Sequence, residues 1–205
     1  MTDIKISQLS AITNLASTDL VVVNQDAGAG SFVSKNMTMG NLDMVRGVRY
    51  YGALAADPSS PASVDGDEYY NTVLKKKMCY DSSRSKWLSI ESLTMQWGRN
   101  GFTADGSYYY GTQQLQYTAT RGFYVPCNVT IVAMGYTRAT TASATFVVTA
   151  DGVSTAAELL STAIKGSSMT LNVNIASGAI LGVLNKAGGN TTSNVMAWIL
   201  LKCRA

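Results

Sequence analysis

The feature that most constrains this chain is a set of short segments in which apolar residues recur at every second position. In residues 170–175, Leu171, Val173 and Ile175 alternate with Thr170, Asn172 and Asn174. A period of two places one set of side chains on one face of an extended strand, so the segment reads as a half-buried β-strand. Phe146 and Val148 share a face in the same way, and Asp151-Gly152 then supplies a turn. Residues 129–134, 179–184 and 195–201 are apolar on both faces. Short strands joined by Gly- and Ser-rich connections specify an all-β sandwich or jelly roll over 92–205. Ala156–Leu160 is the one stretch there that could form a helical turn, and it fits a loop equally well.

A sandwich sheet normally has one face on the core and the other in water. Segment 195–201 leaves outside either Met196, Trp198 and Leu200 or Val195, Ala197, Ile199 and Leu201. A neighbouring subunit would cover such a face. An oligomer is therefore expected, with Met196, Trp198 and Leu200 at its interface; the alternative is that the first 91 residues fold back over that face.

Upstream, the chain divides in two. Residues 1–49 form an arm with few large apolar residues. Leu20-Val21-Val22-Val23 reads as a strand, Gly28 and Gly30 as a turn, 31–35 as the return strand of a hairpin, and 38–42 as a short helix or turn. An arm this poor in core residues completes itself against a partner. Residues 50–91 comprise a linker with Pro58 and Pro61 and then a small β-meander. Tyr69-Tyr70, Lys77–Tyr80 and Lys86–Ile90 are its strands, and Asp81–Ser85 is a hairpin loop.

Composition narrows the function. The 205 residues suffice for a real core, yet only 14% are charged, the net charge is +3 and there is no histidine. Histidine-dependent nucleophile relays and zinc sites are thereby excluded. Cys79, Cys127 and Cys203 are widely spaced and odd in number, which favours separate thiols of a reducing cytosol over a disulfide framework. The N-terminus has no signal-peptide pattern, and no apolar run approaches the ~20 residues that span a bilayer. No charged tail marks a nucleic-acid or membrane surface.

Few motifs carry chemistry. Asp65, Asp67 and Glu68 lack the further oxygen ligands of a cation loop and read as a solvated turn. Gly28-Ala29-Gly30 lacks the third glycine and the helix of a dinucleotide loop. Lys75-Lys76-Lys77 reads as a solvated sheet edge. Gly-bounded Tyr108, Tyr109 and Tyr110 are the best candidates for contact with a receptor, and Trp97 and Arg99 lie just upstream; the competing role is packing in the sandwich or at a subunit interface.

The arm from Ile4-Lys5-Ile6-Ser7-Gln8-Leu9 to Asp19-Leu20-Val21-Val22-Val23 resembles a recurring segment of bacteriophage fibre proteins: Ile-Ser-x-Leu, a small-residue stretch, an acidic residue with Leu, then a valine-rich strand. Ser10 stands where the family often has proline. The middle part is similar to a fibre insert, with Pro61, Gly66-Asp67, Tyr69-Tyr70-Asn71, Tyr80-Asp81 and Trp87 in the matching places. The terminal part looks like a fibre-tip jelly roll of the TNF-like kind.

The resemblance implies a head or tail fibre, non-enzymatic and without cofactor or metal. It would be made in the host cytoplasm and mounted as a homotrimer on the outside of the virion. The arm, through Ile4, Ile6, Leu9, Leu20 and Val22, would attach it to a capsid or tail protein. The tip would touch a host-surface glycan or protein, with neither nucleic acid nor membrane insertion involved. A capsid decoration protein is the alternative within this class. A polysaccharide-degrading tailspike is the alternative outside it, and would have only Asp105, Asp151 and Glu158 as acids after Glu91.

Overall fold

The computed structural model describes residues 48–60, 62–104, 106–111, 117–118, 120–141, 143–186 and 192–205, together with the backbone of 20–26 and 32–38. All regular structure among them is antiparallel β-strand. The chain separates into two compact units, 1–50 and 51–205.

In the first unit, strand β1 (Leu20–Asp26) pairs with β2 (Phe32–Thr38) in unbroken register from Leu20↔Thr38 to Asp26↔Phe32. The valine-rich run thus forms the expected hairpin. Ile4, Ile6, Leu9, the turn at Gly28-Ala29-Gly30 and residues 39–42 lie outside the described residues.

From Tyr51 onward the second unit holds a four-stranded sheet in sequential order: β3 (Tyr50–Leu54, its first residue the last of the first unit), β4 (Glu68–Asn71), β5 (Lys76–Asp81) and β6 (Lys86–Ser89). Trp87 organises its small core. The rings of Tyr69, Tyr80 and Tyr51 stand edge-on to it at 5.0, 5.4 and 5.7 Å, and Met78 is fully buried beside them. Edge-on rings place positive ring edges against a negative face, which adds to the gain from burying their area.

Two expectations need correction here. The lysine run is not on an edge, because β5 lies between β4 and β6. Two of its three charges are met instead by Glu91, 3.0 Å from Lys76, and Glu68, 2.5 Å from Lys77. The acidic turn is not wholly solvated either. Gly66 takes the left-handed conformation the turn requires, and Asp67 is buried, accepting hydrogen bonds from the Val64 amide and the Tyr51 hydroxyl.

The remaining strands form two sheets over one core. The first contains β7 (Ser92–Thr103), β8 (Tyr110–Gly111), β10 (Val129–Thr137), β13 (Lys165–Ser168), β14 (Val173–Ile175) and β16 (Thr192–Cys203), in the order β13-β10-β16-β7-β8 with β14 also on β10. The second contains β9 (Phe123–Tyr124), β11 (Ala144–Ala150), β12 (Val153–Ser161) and β15 (Ile180–Asn185), in the order β12-β11-β15-β9. Ile131, Ile199 and Leu201 from the first sheet meet Phe146, Val148, Leu181 and Val183 from the second. Ala156–Leu160, which could have formed a helical turn, belongs to β12, where pairing with β11 outweighs the local preference of Ala, Glu and Leu.

The small sheet is fastened to the larger one by polar contacts. Arg84, in the β5–β6 loop, donates from Nε to the Leu171 carbonyl at 2.7 Å. It also donates from one terminal nitrogen to the carbonyls of Met169 at 2.8 Å and Val132 at 3.1 Å. Its other terminal nitrogen lies 2.5 Å from Asp81. Lys86 reaches Asn172 and Asn174, and the Cys203 amide donates to Ser89. With the Leu171 carbonyl taken by Arg84, the regular strand begins only at Val173. The alternation of 170–175 is still visible in burial, with Ile175 buried and Leu171 and Val173 half-buried against the core.

Candidate functional site

Strand β16 settles which side of segment 195–201 faces inward. Val195, Ala197, Ile199 and Leu201 are buried in the core, while Met196, Trp198 and Leu200 lie on the outer face of the first sheet. Met196 is half exposed, and the Trp198 ring covers its cross-strand neighbour Gly135, where a Cβ would collide with the indole.

The same face carries a groove. Gly98 on β7 pairs with Met196 on one side and with Tyr110 on the other. Residues opposed across a ladder project to the same face. The missing side chain at Gly98 therefore leaves a trough between Met196 and Tyr110. A Cβ there would lie 2.9 Å from the Val195 carbonyl oxygen, so the backbones approach too closely for a larger residue. The trough has a volume of about 600 Å³, and Gln96, Trp97, Arg99, Asn100 and Gly111 complete its described lining.

Its chemistry is that of hydrogen-bond donors. The Arg99 guanidinium sits 5.3 Å from the centre of the Tyr110 ring, a cation–π arrangement that presents the ring and the charge together. Trp97 borders the groove through its place on β7, but it opposes Ala197 and its side chain is buried in the core; its indole N–H, which has no acceptor among the described residues, is not offered to the groove. A buried donor left in this state costs about 1–3 kcal/mol unless something satisfies it. Gln96 and Asn100 add amides that donate or accept. No carboxylate is among the described lining residues, so Arg99 is their only charge. Such a surface suits a ligand, or a second protein chain, that brings acceptor oxygens. Among the described lining residues there is no pair of groups for acid–base or nucleophilic work.

The three tyrosines do not act as one patch. Consecutive residues of an extended chain point to opposite sides. Tyr109 accordingly enters the core, with its hydroxyl 2.8 Å from that of Thr192 and its ring 5.7 Å from Phe146. Burial pushes its hydroxyl pKa up to about 12. Tyr108 is half-buried over Gly182 and bridges to Leu184. Only Tyr110 lines the groove. Of the acids considered for a tailspike, Glu158 is ion-paired with Lys186 at 2.6 Å and Asp151 caps the Ile180 amide at 2.9 Å. Asp105 lies outside the described residues.

The sequence pointed to Trp97 and Arg99 only as neighbours of the tyrosines. Gln96, Gly98 and Asn100 carried no signal, because the groove arises from cross-strand register. Among the described residues there is no group of three side chains able to hold a metal ion, and no helix long and apolar enough to cross a membrane. Comparison with protein-family models, with curated proteins and with solved structures returns no match for this chain.

Proposed function

We propose that the protein is a non-enzymatic structural component of a bacteriophage virion. In this reading it is a short homotrimeric fibre, held to the particle by the arm of residues 1–49 and exposing a jelly-roll tip. The row Met196, Trp198 and Leu200 carries the reading. It lies on the outer face of β16, between β10 and β7, where three half-buried or exposed apolar side chains await a cover. A second and third copy of the same chain supply it. The jelly roll is supported by strand order: from β9 onward the chain passes to the first sheet at β10, to the second at β11–β12, and returns at β13–β14. It then crosses once more at β15 and ends at β16. The phage assignment rests on the arm and the middle insert.

Tyr110 belongs to β8, the last strand of that sheet order, so it and Arg99 stand at the rim of the covered face. There they would touch a host-surface glycan or protein. Each such interaction would be weak, and many copies on one particle would raise the avidity.

Sedimentation of the full chain at micromolar concentration tests the assembly: a trimer is expected, and a stable monomer would overturn it. Two variants test the remaining roles. Removal of residues 1–49 is expected to abolish incorporation into particles while the tip stays folded; incorporation of the truncated chain would end the anchor assignment. Tyr110→Ala is expected to reduce adsorption to host cells about 10-fold or more, the scale of removing one aromatic anchor from a recognition surface. Unchanged adsorption would favour a capsid decoration protein.

A further inference from the structure

Cys127 and Cys203 are 76 positions apart in sequence, yet their sulfurs lie 2.8 Å from each other, against ~2.05 Å in a disulfide. Antiparallel pairing of β10 with β16 brings them together. Val129 is opposite Cys203, and the Arg204 amide donates to the Asn128 carbonyl at 3.0 Å. Both thiols are half-buried, and both line an apolar cavity of about 340 Å³ whose walls include Phe123, Val125 and Leu201. The Lys76–Glu91 ion pair also borders it. The cavity gives a small molecule access to the sulfurs. No third His, Cys, Asp or Glu joins them in a metal-binding group among the described residues. Cys79 is engaged elsewhere, its sulfur turned to the Tyr80 carbonyl at 3.8 Å.

We propose that Cys127 and Cys203 are the site of a reversible disulfide that clasps the end of β16 to the segment entering β10. The oxidant is a small-molecule disulfide such as oxidised glutathione. One protein thiolate attacks it and releases a glutathione thiolate; the second protein thiolate then displaces the other glutathione. The two protein thiols lose two protons and two electrons, and the oxidised glutathione becomes two reduced molecules. Burial and the contact with Cys127 push the Cys203 thiol up to about 12, so raising the pH increases the thiolate available for closure. Closure therefore speeds up as pH rises. β16 lies between β10 and β7, and the bond would tie two points 76 residues apart, which restricts the unfolded chain strongly. This inference does not depend on the proposed fibre function.

The full chain, purified reduced and then equilibrated with oxidised glutathione, provides the test. Peptide mapping is expected to show Cys127 joined to Cys203 with a mass lower by about 2 Da, Cys79 still open to alkylation, and a melting temperature higher by roughly 5–15 °C. Cys127→Ser and Cys203→Ser should each lose both the cross-link and the shift. A map of the unaltered chain in which Cys127 and Cys203 remain alkylatable, each carry glutathione, or pair with Cys79 would overturn the proposal.

Discussion

Replacing Arg84 with Met is expected to lower the melting temperature of the 51–205 unit by about 6–12 °C, corresponding to about 3 kcal/mol. Met keeps much of the apolar stem, so the loss isolates the guanidinium. That group serves three carbonyls, of Val132, Met169 and Leu171, and also pairs with Asp81. Water can replace it at exposed Met169, but Val132 is buried and its carbonyl would be left short of a donor. Lys86→Met removes bonds that are all exposed and is expected to cost under about 1 kcal/mol. The acid limb of stability should respond as well. Partial burial alone would raise the Asp81 carboxyl, but hydrogen bonds from Ser83 and Arg84 and the Arg84 charge hold it below the usual range. Its stabilising contribution is thus present above the ordinary carboxylate pKa and is lost as pH falls through the lower folded value; the variant should show a smaller acid-side loss. Calorimetry of parent and variants between pH 3 and 7 measures both effects. A variant melting within about 2 °C of the parent would remove Arg84 from the docking role.

Trp198→Glu is expected to convert the proposed trimer to monomers at micromolar concentration without unfolding them. The indole lies on the outer face and covers Gly135, so its loss opens no cavity in the core. At a subunit interface the same change removes a large apolar side chain and buries a carboxylate without a partner. Buried aromatic anchors are each worth about 2–4 kcal/mol, and a trimer would carry three altered copies. The association constant should fall by several orders of magnitude, and sedimentation should show species of one third the parent mass. A variant that stays trimeric would place the interface on another face, leaving the Met196–Leu200 row to a different cover.

Local chemistry made much of the fold legible. Asp81–Ser85 reads as a loop because its acceptor and small polar residues favour turns, and Asp81 does bond the Arg84 amide. The valines of 20–23 read as a strand for their branching alone. The misreadings came from register and partners, which no short window contains. Ala156–Leu160 has helix-forming composition and lies in a strand because β11 is beside it. Lys75–Lys77 looked like an edge because its partners, Glu68 and Glu91, are placed by neighbouring segments. Tyr109 was open to either recognition or packing in the sandwich, and alternation decides for packing. The docking role of Arg84 and the meeting of Cys127 with Cys203 depend on segments 48 to 87 residues away. The groove was harder still, since its central residue is recognised by having no side chain.

The packing of Trp198 on Gly135 makes those two positions a single unit of volume. The indole occupies the space that any side chain at position 135 would need. Enlarging one therefore requires shrinking or displacing the other, and their substitutions are not independent. In a set of functional variants the pair should change together, with Ala or Val accepted at 135 only when the residue at 198 is smaller. Enlargement at 135 alone would look intolerant, while the same change beside a smaller residue at 198 would be mild for folding.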